Sequence, residues 1–283
     1  MKTRPAAWAG QFYPDDPHEL ERTVQEYLTL SHLNPHEGKV IGLFVPHAGY
    51  IYSGKTAAAG YRQLGGSSYT TVVVMAPSHT AYIDGVSIFD GDFYETPLGL
   101  LPVDKSAAAK LAGADKNLKL GEIGHMARGG RAEHALEVQL PFLQMTLTEF
   151  QLLPLVFQDF TWTNCQRLGH ALASHLDPET TLFVASSDLY HGRSYDACVR
   201  SDQVTLASIE NDSAEQFCQR AQSGGAMACG AGPITVLKIL AELWNAQGPR
   251  VIARTNSAKE TGEMHDYVVG YAAGIIVQQE KST

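Results

Sequence analysis

The sequence predicts an α/β fold, with a largely parallel or mixed central sheet flanked by helices, and three observations carry that prediction. Apolar runs at 39–45, 70–76, 151–157 and 180–186 have strand length and too few polar residues for a solvated face. Helix-like stretches separate most of them, the alternation that parallel crossovers require. Three of the runs then deliver a histidine: VIGLFVPHAGY reaches His47, TVVVMAPSH reaches His79, and TLFVASSDLYH reaches His191. Loops at strand ends are where α/β scaffolds carry chemistry.

The elements follow in order. Asp16-Pro17-His18-Glu19 opens the first helix, with Asp as N-cap, Pro in the first turn and Glu three residues on. Leu20, Val24, Tyr27 and Leu28 then share one face. Strand 39–45 leads to a helix near 54–64, strand 70–76 and strand 85–89. A short helix near 104–113 precedes a glycine-rich loop from Gly121 to Gly130. The next helix opens near Ala132, and Pro141 is expected to kink or end it. Strand 151–157, helix 162–175 and strand 180–186 come next. Helices near 195–210, 213–222 and 230–246 lead to closing strands near 250–256 and 266–277. No Pro/Ser linker, repeat or low-complexity segment divides the chain, so residues 1–283 are expected to form one domain.

Composition narrows the class. Hydrophobic residues make up 44% of the 283, enough for a substantial core. A formal net charge of −9 with no basic run disfavours a nucleic-acid partner. The four cysteines form no CxxC pair, and a chain this long needs no disulfide framework, which suits a reducing compartment. No apolar stretch resembles a signal peptide or reaches the roughly 18 residues of a membrane span. A soluble, cytoplasmic protein without a membrane partner is expected.

Gly49 to Thr56, GYIYSGKT, satisfies the P-loop expression. A phosphate cradle needs small residues so that backbone N–H groups converge, and Tyr50, Ile51 and Tyr52 are bulky. Two turn-forming glycines with tyrosines at a site mouth are the better reading. His47 and His79 stand at matching strand exits, and parallel strands placed side by side or one apart would bring them within metal-bridging distance. Neutral imidazole suits iron, copper or zinc. Asp188 either orients His191 or faces the pocket, and Ser186-Ser187-Asp188 equally suits a helix cap. Cys229 precedes an apolar helix whose N-terminus would favour a thiolate, although a small buried hydrophobe has the same signature. Cys165, Cys198 and Cys218 read as filler within helices. Glu133 and Glu137, four apart, would share a helix face beside His134, either solvated or supporting the histidines. His18, His32, His36, His125, His170 and His175 read as surface or helix positions, and His265-Asp266 is left out of the site.

Seven motifs in order, PAAWAGQFYP, VPHAGYIYSG, APSH, EHALEVQLPFLQ, SSDLYH, ACGAGPI and VVGYAAG, resemble the Memo family (mediator of cell motility), also called AmmeMemoRadiSam system protein B. That family is similar in fold and pocket to the class III non-haem iron extradiol dioxygenases. The resemblance implies His47 and His79 as metal ligands, with Cys229 where the dioxygenases use a glutamate. It also implies His191 as acid/base with Asp188 beside it. Glu133, His134, Glu137 and Tyr52 would line or support the pocket. A thiolate is softer than a carboxylate and moves preference from iron(II) toward copper or zinc, so ring cleavage does not follow. The leading expectation is an iron or copper protein with a redox or oxygen-dependent role. A hydrolase or transferase with Cys229 as nucleophile, His191 as its base and Asp188 as orienter is the second, and a binding module whose pocket takes a peptide, an anionic group or another small molecule the third. The oligomeric state is left open.

Overall fold

The strand exits can converge because β2 (Lys39–Val45), β9 (Thr181–Ser186) and β3 (Thr71–Pro77) lie side by side and parallel. Register pairs Val45 with Ser186 and Met75 with Ala185, so the three chains leave the sheet on the same edge. The computed structural model describes residues 1–34, 36–126, 131–262 and 267–279. The end of the expected glycine-rich loop, including Gly129 and Gly130, and His265-Asp266 lie outside them.

Among the described residues nine strands form one mixed sheet. Beyond β3 come β8 (Gln151–Phe157), β4 (Val86–Phe89) and β7 (Leu118–Gly121). Beyond β2 lies β12 (Val268–Gln278), flanked by β11 (Gln247–Asn256) and by β10 (His191–Gly192). The four central strands are parallel, while β12 against β2 and β4 against β8 are antiparallel. A second sheet joins β1 (Thr3–Arg4), β5 (Phe93–Thr96) and β6 (Gly99–Pro102).

Both faces of the main sheet are apolar because both are covered. Val72, Val74, Leu182 and Val184 pack under α1 (Pro17–Leu30), α2 (Tyr50–Tyr61) and α4 (Leu140–Thr146). Val73, Met75, Phe183 and Ala185 pack under α3 (Lys105–Ala114), α5 (Trp162–His175), α6 (Tyr195–Asn211), α7 (Ala214–Gln222) and α8 (Ala231–Leu243). A short α9 (Ser257–Thr261) precedes β12.

Local chemistry explains where expectation and structure part. Helix α1 starts as predicted, with the Asp16 carboxylate accepting from the Glu19 N–H at 2.8 Å. Helix α2 begins four residues before the expected position 54, so Tyr50 to Thr56 are helix rather than a phosphate-type loop. Tyr50 is buried against Phe142 and donates to the Val138 carbonyl at 2.7 Å, which favours helix from that residue. Gly54, expected in a turn, lies inside α2, where the lack of a side chain makes room for the Tyr27 ring, 2.6 Å from where a Cβ would stand. No helix opens at Ala132. A 3₁₀ turn at Glu137–Gln139 leads into α4, where Pro141 occupies the first turn rather than ending a helix. Glu133 and Glu137 therefore do not share a helix face.

His125, expected at the surface or in a helix, is buried. Its Nε2 donates to the Ser87 carbonyl at 3.1 Å, so Nδ1 accepts from the Tyr94 hydroxyl at 2.6 Å and the ring is neutral. Burial lowers its pKa from 6.5 to about 4, with the Ser87 carbonyl opposing. Between those values the unfolded chain takes up a proton that the folded chain refuses, so stability is lost as pH falls from 6.5 toward 4. The single-site loss is about 2 kcal/mol at pH 5. His125→Gln should weaken the protein at pH 7 yet flatten its stability profile between pH 6.5 and 4 in urea unfolding. Parallel profiles for variant and wild type would contradict this account.

Candidate metal centre

His47 is fixed by an accounting of hydrogens. The Ser186 hydroxyl donates its one proton to the Ala135 carbonyl at 2.6 Å. Gln139 Nε2 donates both to the Pro46 carbonyl at 2.9 Å and to Ser186 Oγ at 2.8 Å. The remaining lone pair of Oγ faces His47 Nδ1 at 2.9 Å, so Nδ1 must be the protonated nitrogen. His47 Nε2 thus presents a lone pair, 3.1 Å from Cys229 Sγ. Burial, then the neighbouring His134, His79 and His191, hold its pKa well below the usual value.

His79 is oriented by Glu133. The carboxylate accepts from the His79 N–H at 2.5 Å and from Nδ1 at 2.9 Å, leaving Nε2 for the site. It also accepts from the N–H groups of His134 and Ala135. Burial alone would lower the His79 pKa, but Glu133, with help from Asp188, outweighs it and raises the value. The His79 ring stacks on His134 at 4.8 Å between centroids and meets His47 edge-on at 5.3 Å. Burial lowers the His134 pKa to about 4, although Glu133 opposes it.

Cys229 lies just before α8. Its Sγ accepts from the Asp188 N–H at 3.2 Å, and its own N–H donates to the Asp188 carbonyl at 3.1 Å. Gly230 beside it allows this contact, since a Cβ there would stand 2.2 Å from the Ser186 carbonyl. Burial, then the Asp188 charge, push the thiol above its ordinary range. Asp188 caps no helix. Its Oδ1 accepts from the His47 N–H at 2.7 Å, and burial raises its pKa to about 7 against the pull of the His47 and Ala48 N–H groups. His191 is exposed in β10, with Nδ1 on the Leu189 carbonyl at 3.0 Å rather than on Asp188.

The ligand atoms of His47, His79 and Cys229 all lie within 4.8 Å of one another, and the same holds for His79, Glu133 and His134. The first group fits a metal ion on its chemistry: each imidazole has Nδ1 engaged by a supporting residue and Nε2 left to the site, and the third donor is a thiol. A cleft of about 470 Å³ opens beside it, lined by His134, Asp188, His191, Phe12, Tyr52 and Tyr271 among others. Tyr52 reaches it from the first turn of α2. Lys55 points to Glu260 at 3.7 Å instead. Glu137 stays outside the site: its carboxylate pairs with Arg4 and accepts from Tyr13 and from the Trp8 N–H. Sequence reasoning missed Ser186 and Gln139 as supports, since neither residue type signals metal chemistry.

Fold and site together define an α/β protein with a candidate His/His/Cys metal centre at the carboxyl ends of parallel strands. Residues 4–275 match the family model described as Memo-like protein, and the chain belongs to that family. It is 33% identical over 276 residues to a MEMO1 family protein of Methanosarcina barkeri, covering 96% of this chain and 99% of the relative. MEMO1 family proteins of Aquifex aeolicus (32% over 279 residues, 98% and 100% covered) and Nitrosopumilus maritimus (30% over 271 residues, 94% and 96% covered) are similar. Among the described residues no helix is long and apolar enough to cross a membrane.

The hydrogen accounting predicts a neutral His47 in the Nδ1–H form. In ¹⁵N NMR of metal-free protein its Nε2 should resonate as an unprotonated nitrogen at pH 7. A protonated Nε2 would contradict the assignment. Ser186→Ala should reverse the preference or mix the two forms.

Proposed function

We propose that this protein binds a redox-active transition metal, iron or copper, through His47, His79 and Cys229, and serves a redox or oxygen-dependent reaction. The observation that carries the reading is the convergence of two singly engaged imidazoles and a thiol within 4.8 Å. When bound, the ion would supply one-electron chemistry and Lewis acidity. The chain's own residues would do the rest. Ser186 and Glu133 keep both imidazoles in the form that offers Nε2. The N–H of Asp188 favours the thiolate of Cys229. Three protein donors leave positions open, as a reactive centre requires and a closed structural site does not. His191 and Asp188 line the cleft as the proton-handling groups. Phe12, Tyr52 and Tyr271 give the cleft apolar walls suited to a small molecule.

A second reading, Cys229 as nucleophile, is favoured by the 3.1 Å contact of Sγ with His47 Nε2. The expected base, His191, is not that partner. Both pKa directions also oppose a thiolate–imidazolium pair, since burial raises the thiol and lowers the imidazole.

Anaerobic titration with copper(I) or iron(II) separates the readings. His47→Ala, His79→Ala and Cys229→Ala should each lose more than the roughly 10–100-fold in affinity that removing an outer partner costs. Circular dichroism should stay native, because a core this size does not depend on one ion. His191→Ala should keep most of the affinity. Wild-type affinity in all three ligand variants would remove the site, and alkylation of Cys229 unaffected by metal would favour the nucleophile.

A further inference from the structure

We propose that Arg4 is a positioning residue of the candidate metal centre, holding the chain at Glu133 and Glu137 and, through Glu133, the ring of His79. The inference rests on the metal-binding reading above. Arg4 is 1% exposed, unusual for an arginine, and all three of its guanidinium nitrogens donate hydrogen bonds. Nε donates to the His125 carbonyl at 3.0 Å, Nη2 to the Glu133 carbonyl at 2.8 Å, and Nη1 to the Pro5 carbonyl at 2.7 Å and to Glu137.

The Glu137 carboxylate is wholly buried and also accepts from the N–H groups of Ala7 and Trp8 and from the Tyr13 hydroxyl. One planar fork therefore fixes both ends of the stretch from 133 to 137. The carbonyl of Glu133 is pinned to Arg4 while its carboxylate holds His79 by two bonds. A buried ion pair is a weak source of stability compared with apolar packing, so geometry is its better explanation. Arginine is required because lysine keeps the charge but cannot serve carbonyls in three fixed directions.

The test compares wild type, Arg4→Lys and Leu172→Ala, the last emptying part of the core on the opposite face of the sheet. In metal-free protein, ¹⁵N-histidine NMR reads the His79 Nδ1–H bonded to Glu133, assigned with His79→Gln. Cobalt(II) titration reads affinity through the thiolate charge-transfer band. Arg4→Lys should lose or broaden the Nδ1–H signal and bind cobalt about 10-fold or more weakly. Leu172→Ala should melt earlier and change neither readout. Retention of either the signal or the affinity in folded Arg4→Lys overturns the proposal. Should Arg4→Lys fail to fold, Glu137→Gln, with the native shape and no charge, carries the same comparison. If wild type binds no cobalt, the metal reading fails and the NMR arm alone decides for or against positioning.

Discussion

The stretch from Glu133 to Gln139 orients both histidines, and the candidate centre depends on it. Glu133 holds His79, the Ala135 carbonyl takes the only proton of Ser186, and Gln139 occupies one of that hydroxyl's lone pairs. What remains to Ser186 is a single acceptor for His47. Flipping the buried His47 ring would take its Nδ1–H away from Ser186, at a cost of about 1–3 kcal/mol. This explains why the stretch is irregular. A helix from Ala132 would satisfy its own carbonyls and withdraw them from Ser186 and Arg4.

The sheet supplies the other half of the constraint. Because β2, β9 and β3 are adjacent and parallel, His47, Asp188 and His79 emerge in a row from the same edge. Cys229 is brought over that row by the loop before α8, and its tie to Asp188 runs in both directions. Gly230 permits the approach by presenting no side chain to the Ser186 carbonyl. A thiol beside two imidazoles is a softer donor set than two imidazoles and a carboxylate.

Much of this was legible in the chain. The apolar runs marked β2, β3, β8 and β9 within a residue or so, because both of their faces are buried and polar residues stand only at their ends. The histidines after them were visible as polar residues where apolar strands stop. Short strands such as β5, β6 and β10 left no such trace, since they are two to four residues long, and β5 and β10 also pair with β1 and β12, distant in sequence. The carboxylates Glu133 and Glu137 misled for a related reason. Their spacing suits a helix face, but one serves His79 and the other Arg4, a residue more than 120 positions away. Ser186 and Gln139 carry no local signature at all, because their role exists only once three strands and a loop have met.

X-ray absorption of the metal-loaded protein tests the central claim most directly, because it counts the donors that the oriented residues supply. The account predicts one sulfur and two imidazole scatterers, with the sulfur lost in Cys229→Ser and one imidazole lost in His47→Ala. A metal environment of oxygen donors alone, unchanged by either substitution, would contradict it.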